Sequence, residues 1–242
     1  VKKMIREYRP SVIFHCAAYT AVDKAEEEQE KCYQVNVLGT KYLTEAAKEV
    51  GAKIIYISTD YVFDGTKEGL YQIEDKVNPV NYYGKTKYLG ENFIRKYDNH
   101  IIVRISWVFG INGKNFIRTM LNLAESHKEL NVVCDQIGSP TYTKDLAGLL
   151  VNMFLSNVKG LYHVTNEGYC SWYEFAEFIF KESRKKVKVH PILTKDYKTI
   201  AKRPLNSKLS KESLDDIGMK RLPEWQDAVK RYIRELKKEG VR

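Results

Sequence analysis

Thr59, Tyr83 and Lys87 are the residues of this sequence whose types and spacing can do chemistry. Tyr83 and Lys87 lie four apart in Tyr82-Tyr83-Gly84-Lys85-Thr86-Lys87, and Thr59 closes the run Ile54-Ile55-Tyr56-Ile57-Ser58 twenty-four residues before Tyr83. Residues four apart on a helix share a face, so an ammonium and a phenol can meet there. A free tyrosine titrates near about 10, and a neighbouring cation favours the phenolate. Lys87 is therefore expected to bring the phenol of Tyr83 down towards the working range. A threonine hydroxyl can bond a substrate oxygen and hold it against the phenol. With a hydride donor alongside, such a trio reduces a carbonyl. In a chain with 17 tyrosines the Tyr-x-x-x-Lys pair alone also describes a tyrosine packed on a lysine stem. Ser58-Thr59-Asp60 upstream gives the pair its weight.

The elements that must position these groups read as alternating strands and helices. Residues 11–18 form a buried strand ending in small residues. Residues 24–50 follow as a helix, acidic early and stopped at Gly51. Residues 53–58 are the near-continuous apolar strand of a parallel sheet. Residues 60–79 are loop, with Asp64-Gly65 and Asn78-Pro79 as turn signals. A helix over 81–97 carries Tyr83 and Lys87 in its first turns. A strand over 100–107 and a helix over 115–127 complete the pattern. This βαβαβα order predicts a doubly wound parallel Rossmann-like sheet with its site at the carboxyl ends of the strands. Ala17-Ala18, Ser58-Thr59 and Ser106-Trp107 all fall at such ends. Beyond residue 130, short strands at 130–133, 160–164 and 186–191 alternate with helices at 143–155, 171–182 and 223–238. The expected division is a partial dinucleotide-binding domain over 1–130 and a smaller α/β substrate lobe over 131–242, with segments returning to the sheet.

One motif of such a sheet is missing. A nucleotide-binding strand is followed by a glycine-rich turn that lets a helix amino end approach the pyrophosphate. No glycines in the 242 residues have the G-x-G-x-x-G spacing; Gly110-Ile111-Asn112-Gly113 follows a strand, but Phe stands at position 116. About 50 residues of the cofactor half, including that turn, are expected to precede Val1, judged from a ~30-residue βαβ unit.

Composition narrows the class. The 242 residues, 43% hydrophobic and 29% charged, suit one sizeable domain or a domain with a lobe. The apolar runs are far shorter than a membrane span, and no signal peptide is visible. Cys16, Cys32, Cys134 and Cys170 lack paired-ligand spacing and read as reduced cysteines of a cytoplasmic protein. The five histidines are scattered, so no metal site is indicated. The net charge of +9 is spread along the chain among glutamates, which fits solvated helix faces and an anionic small-molecule substrate better than nucleic acid.

These motifs resemble the extended short-chain dehydrogenases/reductases, and within them the dTDP-4-dehydrorhamnose reductases. The resemblance covers about residues 10–225. It rests on Cys16-Ala17-Ala18-Tyr19-Thr20-Ala21-Val22-Asp23-Lys24-Ala25-Glu26, Ser58-Thr59-Asp60-Tyr61-Val62-Phe63-Asp64-Gly65 and Tyr83-Gly84-Lys85-Thr86-Lys87. Arg104-Ile105-Ser106-Trp107-Val108-Phe109-Gly110, Asn115-Phe116, Asp135-Gln136-Ile137-Gly138-Ser139-Pro140-Thr141 and Arg203-Pro204 extend it. The resemblance implies reduction of the C4 keto group of dTDP-4-dehydro-L-rhamnose by NADPH or NADH. Tyr83 would be the proton donor, Lys87 its support and a ribose ligand, and Thr59 the carbonyl clamp. Ala17, Ala18 and Thr20 would border the cofactor, and Asn36 would order the site. Tyr61 and Trp107 would touch the sugar, with Asn115, Gln136 and Arg203 near the nucleotide sugar.

Some of these residues carry a second reading. Asn115 equally suits a helix N-cap, and Asp23 and Asp135 suit caps or turns. Arg203 has the fork that matches phosphate. A homodimer and an Mg2+ ion, seen in some relatives, are left open by the sequence. Dehydratases of the superfamily follow the threonine with Asp-Glu; here Tyr61 follows Asp60, which favours simple reduction. Epimerases fit residues 135–141 less well. A different class also keeps Ser-Thr-Asp-Tyr-Val-Phe-Asp-Gly and Tyr-x-x-x-Lys: the non-catalytic regulatory subunit of methionine adenosyltransferase. Trp107 and residues 135–141 favour the reductase over it.

Overall fold

The apolar runs become strands, as expected, and the amphipathic stretches cover them. The computed structural model describes residues 1–240. In chain order its elements begin with α1 (Lys2–Tyr8), β1 (Val12–His15), α2 (Val22–Glu27), α3 (Gln29–Tyr33), α4 (Gly39–Val50) and β2 (Lys53–Thr59). They continue with α5 (Tyr82–Ile94), β3 (His100–Ile105), β4 (Val108–Phe109), α6 (Phe116–Leu123), β5 (Glu129–Val133), β6 (Ile137–Gly138) and β7 (Thr141–Tyr142). The last are α7 (Thr143–Leu155), β8 (Gly160–His163), β9 (Cys170–Ser171), α8 (Trp172–Ser183), β10 (Lys188–Ile192), α9 (Glu212–Asp215) and α10 (Trp225–Lys238).

The central sheet has the order β1-β2-β3-β8, and every pairing in it is parallel. Parallel strands are covered on both faces, so β2 and β3 read as unbroken apolar runs. On one face Ile54, Tyr56 and Ile102 pack with Ala47 and Ile94 from the helices. On the other, Ile55, Ile101 and Val103 meet Leu146, Leu149 and Met153 of α7. A separate core gathers Phe109, Phe175, Trp225 and Tyr232. It lies under α6, α8 and α10, beside the two-stranded parallel pair β5–β10. The later half of the chain thus builds its own core, and it also sends β8 back to the main sheet.

Two expectations are corrected. The single helix over 24–50 is broken: the chain leaves helical geometry at Glu28, and residues Gln34–Leu38 form a π-helical turn. Asn36 is buried at the widened turn. Its side chain accepts from Tyr19 N at 2.7 Å and donates to Tyr19 O and to Thr86 Oγ1. The short strands β4, β6, β7 and β9 were not foreseen, because two-residue pairings leave no periodicity to read.

Beneath the site, α5 is tied to the sheet by a buried ion pair. Glu91 of α5 is 0% exposed and Arg104 of β3 is 1% exposed. Arg104 donates through Nε and Nη2 at 2.9 and 2.8 Å, and Ser58 donates its hydroxyl to the same carboxylate at 2.6 Å. Burial works against the charge of Glu91, but Arg104 wins and holds its carboxyl below the usual range.

Candidate active site

Three strand ends and one helix start converge on a single crevice of about 710 Å³. Asn81 sets the start of α5: its side chain accepts from Gly84 N at 2.8 Å, a standard N-cap. That fixes Tyr83 in the first turn and Lys87 one turn later. The first turn presses directly on the backbone after β2. A Cβ at Gly84 would stand 2.1 Å from Tyr61 O, so no other residue fits without moving the helix. Thr59, at the end of β2, caps the short 3-10 turn Asp60–Val62 by accepting from Tyr61 N.

Thr59, Tyr61, Tyr83 and Lys87 all line the crevice, and the Thr59 hydroxyl faces the Tyr83 phenol. The Tyr61 ring stands edge-on to that of Tyr83, with centroids 6.0 Å apart. Cys16, Ala18 and Thr20 form one rim, and exposed Ala17 lies among them without lining the cavity. Trp107 forms the opposite wall. It stacks flat on Trp172 at 3.6 Å between centroids and holds a left-handed backbone, φ 47°. A bulky residue in that region is strained by roughly 1–3 kcal/mol, a cost met at ligand clamps.

The electrostatics differ from the simple expectation. The phenol of Tyr83 is pushed up, not down: burial raises it, the neighbouring Asp60 adds to this, and the Thr59 hydroxyl opposes. Lys87 Nζ lies over the ring of Tyr56, 4.1 Å from its centroid, and burial lowers its pKa to about 7. A raised phenol keeps its proton at neutral pH, which is the state a proton donor needs. The Thr59 hydroxyl, for its part, donates to Asp60 Oδ1 at 3.0 Å. Burial holds Asp60 up to about 6, and its other oxygen has no hydrogen-bond partner.

The remaining expected residues divide. Asn36 is buried and spends its amide on Tyr19 and Thr86, so it shapes the Cys16–Thr20 rim from behind. Asn115 does line the crevice, but its side chain caps α6 and donates to Gly110 O and Tyr232 Oη. Gln136 is buried outside the crevice and donates to Thr194 Oγ1. Arg203 lines a second cavity of about 560 Å³ together with Lys195, Lys198 and Lys202. Its fork is taken by Asp23 at 3.0 and 2.6 Å, a pairing 180 residues apart in sequence. Trp172 was missed. Its available signal was Ser171-Trp172-Tyr173-Glu174, a capping box that starts a helix beside the crevice. Among the described residues, no group of three or more His, Cys, Asp or Glu converges to hold a metal.

Two buried histidines near the site make stability pH-dependent. Burial, helped by Lys87, lowers His15 to about 4; burial and Arg104 lower His163 to about 3. Between about 4 and 6.5 the unfolded chain binds both protons and the folded one does not, so stability falls on acidification. Asp60 has the opposite sign, since its raised pKa lets the folded state bind a proton below about 6. Two histidines against one carboxyl leave a net loss. Urea midpoints are expected to fall from pH 7 to pH 5, and to fall further in Asp60→Asn. A flat dependence in both proteins would contradict this assignment.

A parallel sheet with flanking helices, with the Thr59 hydroxyl at a strand end and the Tyr83 phenol and Lys87 ammonium on α5 beside it, has the Rossmann-like architecture of the extended short-chain dehydrogenases/reductases. The chain belongs to the RmlD substrate binding domain family, whose profile matches residues 1–238. It is 42% identical over 236 residues to the spore coat polysaccharide biosynthesis protein SpsK of Bacillus subtilis, covering 97% of this chain and 83% of that protein. It is 40% identical over 248 residues to the dTDP-4-dehydrorhamnose reductase of Escherichia coli K12, covering 98% and 83%. The crystal structure of dTDP-4-dehydrorhamnose reductase from Bacillus anthracis in complex with NADP superposes with a TM-score of 0.95 at 41% identity, covering 97% of this chain and 84% of that one.

Proposed function

We propose that this protein reduces the C4 keto group of dTDP-4-dehydro-L-rhamnose to dTDP-L-rhamnose with NADPH. The observation that carries the reading is the placement of Thr59, Tyr83 and Lys87 in one crevice, beside the aromatic wall of Trp107. The relatives named as dTDP-4-dehydrorhamnose reductases, one of them solved with NADP, support the substrate and the cofactor.

The residues present fit the nicotinamide end of that cofactor. A crevice of about 710 Å³ is open between the Cys16–Thr20 rim and Tyr83, and it is of the size that takes a small organic group. Ala17, Ala18 and Thr20 would border the cofactor and Lys87 would reach its ribose, with Asn36 holding the rim in shape. The cofactor, when bound, supplies the hydride for the carbonyl carbon. Tyr83, protonated at neutral pH, gives its proton to the carbonyl oxygen. Thr59 rotates its hydroxyl from Asp60 to that oxygen and fixes it beside the phenol. The Lys87 ammonium steadies the phenolate left behind.

Trp107 and Tyr61 hold the sugar face. Arg203 serves the nucleotide sugar, with the basic second cavity suited to its diphosphate, while Asn115 and Gln136, whose amides are spent on Gly110, Tyr232 and Thr194, brace the walls near it. To meet a phosphate, Arg203 must give up Asp23. The residues before about 130 form the cofactor side and those after it the substrate lobe. The reaction takes place in the cytoplasm, on a water-soluble nucleotide sugar. No described helix is long and apolar enough to cross a membrane.

The test is NADPH oxidation by the full protein with dTDP-4-dehydro-L-rhamnose, followed by identification of dTDP-L-rhamnose. Failure with this ketone, while another nucleotide keto sugar is reduced, would reassign the substrate. Trp107→Ala is expected to raise KM for the keto sugar roughly tenfold with little change in kcat, the pattern of lost uniform binding. An unchanged KM would remove Trp107 from the sugar site.

A further inference from the structure

Tyr56 has no place in the roles above, yet it touches Lys87 at two points. It stands in the middle of β2 with 0% exposure, among Ile54, Ile55 and Ile57. The Lys87 ammonium lies over its ring at 4.1 Å from the centroid. The Tyr56 hydroxyl donates to the backbone oxygen of Lys87 at 3.2 Å. His15 of β1 tilts against the same ring, with centroids 5.2 Å apart. Room for the hydroxyl comes from Gly90 of α5, where a Cβ would stand 2.4 Å from it. A buried parallel strand ordinarily fills such a position with an aliphatic residue. Here a ring face meets the ammonium and a hydroxyl meets the main chain of the same lysine.

We propose that Tyr56 is the positioning residue for Lys87: its ring face keeps the buried ammonium charged, and its hydroxyl fixes the turn of α5 from which Lys87 projects. The inference rests on the reading of Lys87 as part of the active site. The negative face of an aromatic ring attracts a cation, and more strongly where water is excluded.

The other groups that face Lys87 offer it little. Glu91, one turn on along α5, attracts the ammonium through space but spends its hydrogen bonds on Arg104 and Ser58. Burial pushes the thiols of Cys16, beyond β1, and Cys32, on α3, up, so both are neutral at pH 7. His15 on β1 is lowered to about 4 and is neutral too, and the phenol of Tyr83 is pushed up. The Tyr56 ring is the group in direct contact with the ammonium, and it adds to the pull of Glu91 towards the charged form. Burial, offset in part by Glu91, leaves Lys87 at about 7, so a weaker ring would move its deprotonation below neutrality.

The test changes the electrostatics of the ring without changing its shape. Phenylalanine bearing zero, one, two or three ring fluorines is placed at position 56 by nonsense suppression, and the pH profile of kcat/KM for the keto sugar is measured for each. Each fluorine weakens the negative ring face. The alkaline limb is expected to move stepwise to lower pH, by about one unit across the series, while KM stays constant. Superimposable profiles would overturn the proposal, because a ring that only fills space is indifferent to fluorination. Lys87→Met separates the two levels of the argument. Wild-type turnover in that variant would remove Lys87 from the active site, and the Tyr56 role with it. Lost turnover in Lys87→Met together with superimposable fluorine profiles would sink the Tyr56 role alone.

Discussion

Tyr83→Phe is expected to lower kcat for keto-sugar reduction by about 10²–10⁴-fold, the range of a lost general acid, and to leave the fold intact. The substitution removes one oxygen from a ring already packed in the crevice beside Tyr61, so the packing survives. The loss should fall on kcat and kcat/KM together, because the proton is needed only as the carbonyl oxygen gains charge. Circular dichroism and the urea midpoint report the fold, and single-turnover NADPH oxidation reports the chemistry. Wild-type turnover in a folded Tyr83→Phe protein would end the assignment of Tyr83. Because burial and Asp60 hold the phenol high, the wild-type rate should not rise steeply with pH near neutrality, as it would if phenolate were the working form.

Arg104→Met is expected to destabilise the protein by about 3–5 kcal/mol, roughly 10 °C in Tm. Single removal strands the carboxylate of Glu91, which is 0% exposed, with only Ser58 and the half-exposed Arg95 nearby. Replacing both charges, as Glu91→Leu with Arg104→Met, should recover most of that loss. Two apolar side chains avoid the desolvation that the ion pair must overcome. Differential scanning calorimetry of the two single variants and the double variant gives the coupling between them. Additive losses, with the double variant worse than either single one, would mean no coupling between the two charges and would overturn the stranded-carboxylate account. The pair links α5 to β3 directly beneath Tyr83 and Lys87. Single variants should therefore also lose activity, and the double variant should show whether activity needs the charges or only the anchoring.

The parts of this protein that were legible in its sequence are the ones written in local chemistry. The strand at 53–59 announces itself by an unbroken apolar run, and α5 by the spacing of Tyr83 and Lys87 behind Asn81. Ser58-Thr59-Asp60 marks a strand end because small and polar residues follow a buried stretch. What was not legible depends on groups far apart in the chain. The pairing of Arg203 with Asp23 spans 180 residues and turns an apparent phosphate ligand into half of an ion pair. Trp172 gives no sign of standing against Trp107 until the chain is folded. The direction of the Tyr83 shift also follows from burial, a property of the assembled crevice, whereas the sequence displays only the nearby lysine. The widened turn at 34–38 is of the same kind, since its Asn36 is bonded to partners at positions 19 and 86.

Gly84 carries a consequence for heredity. It holds no proton and touches no substrate, yet a side chain there would collide with the Tyr61 carbonyl at 2.1 Å and lift both neighbours of the reaction out of place. In a saturation screen scored by keto-sugar reduction, position 84 would tolerate as little variation as position 83. A map of mutational intolerance would then count as catalytic a residue whose whole contribution is to occupy no space.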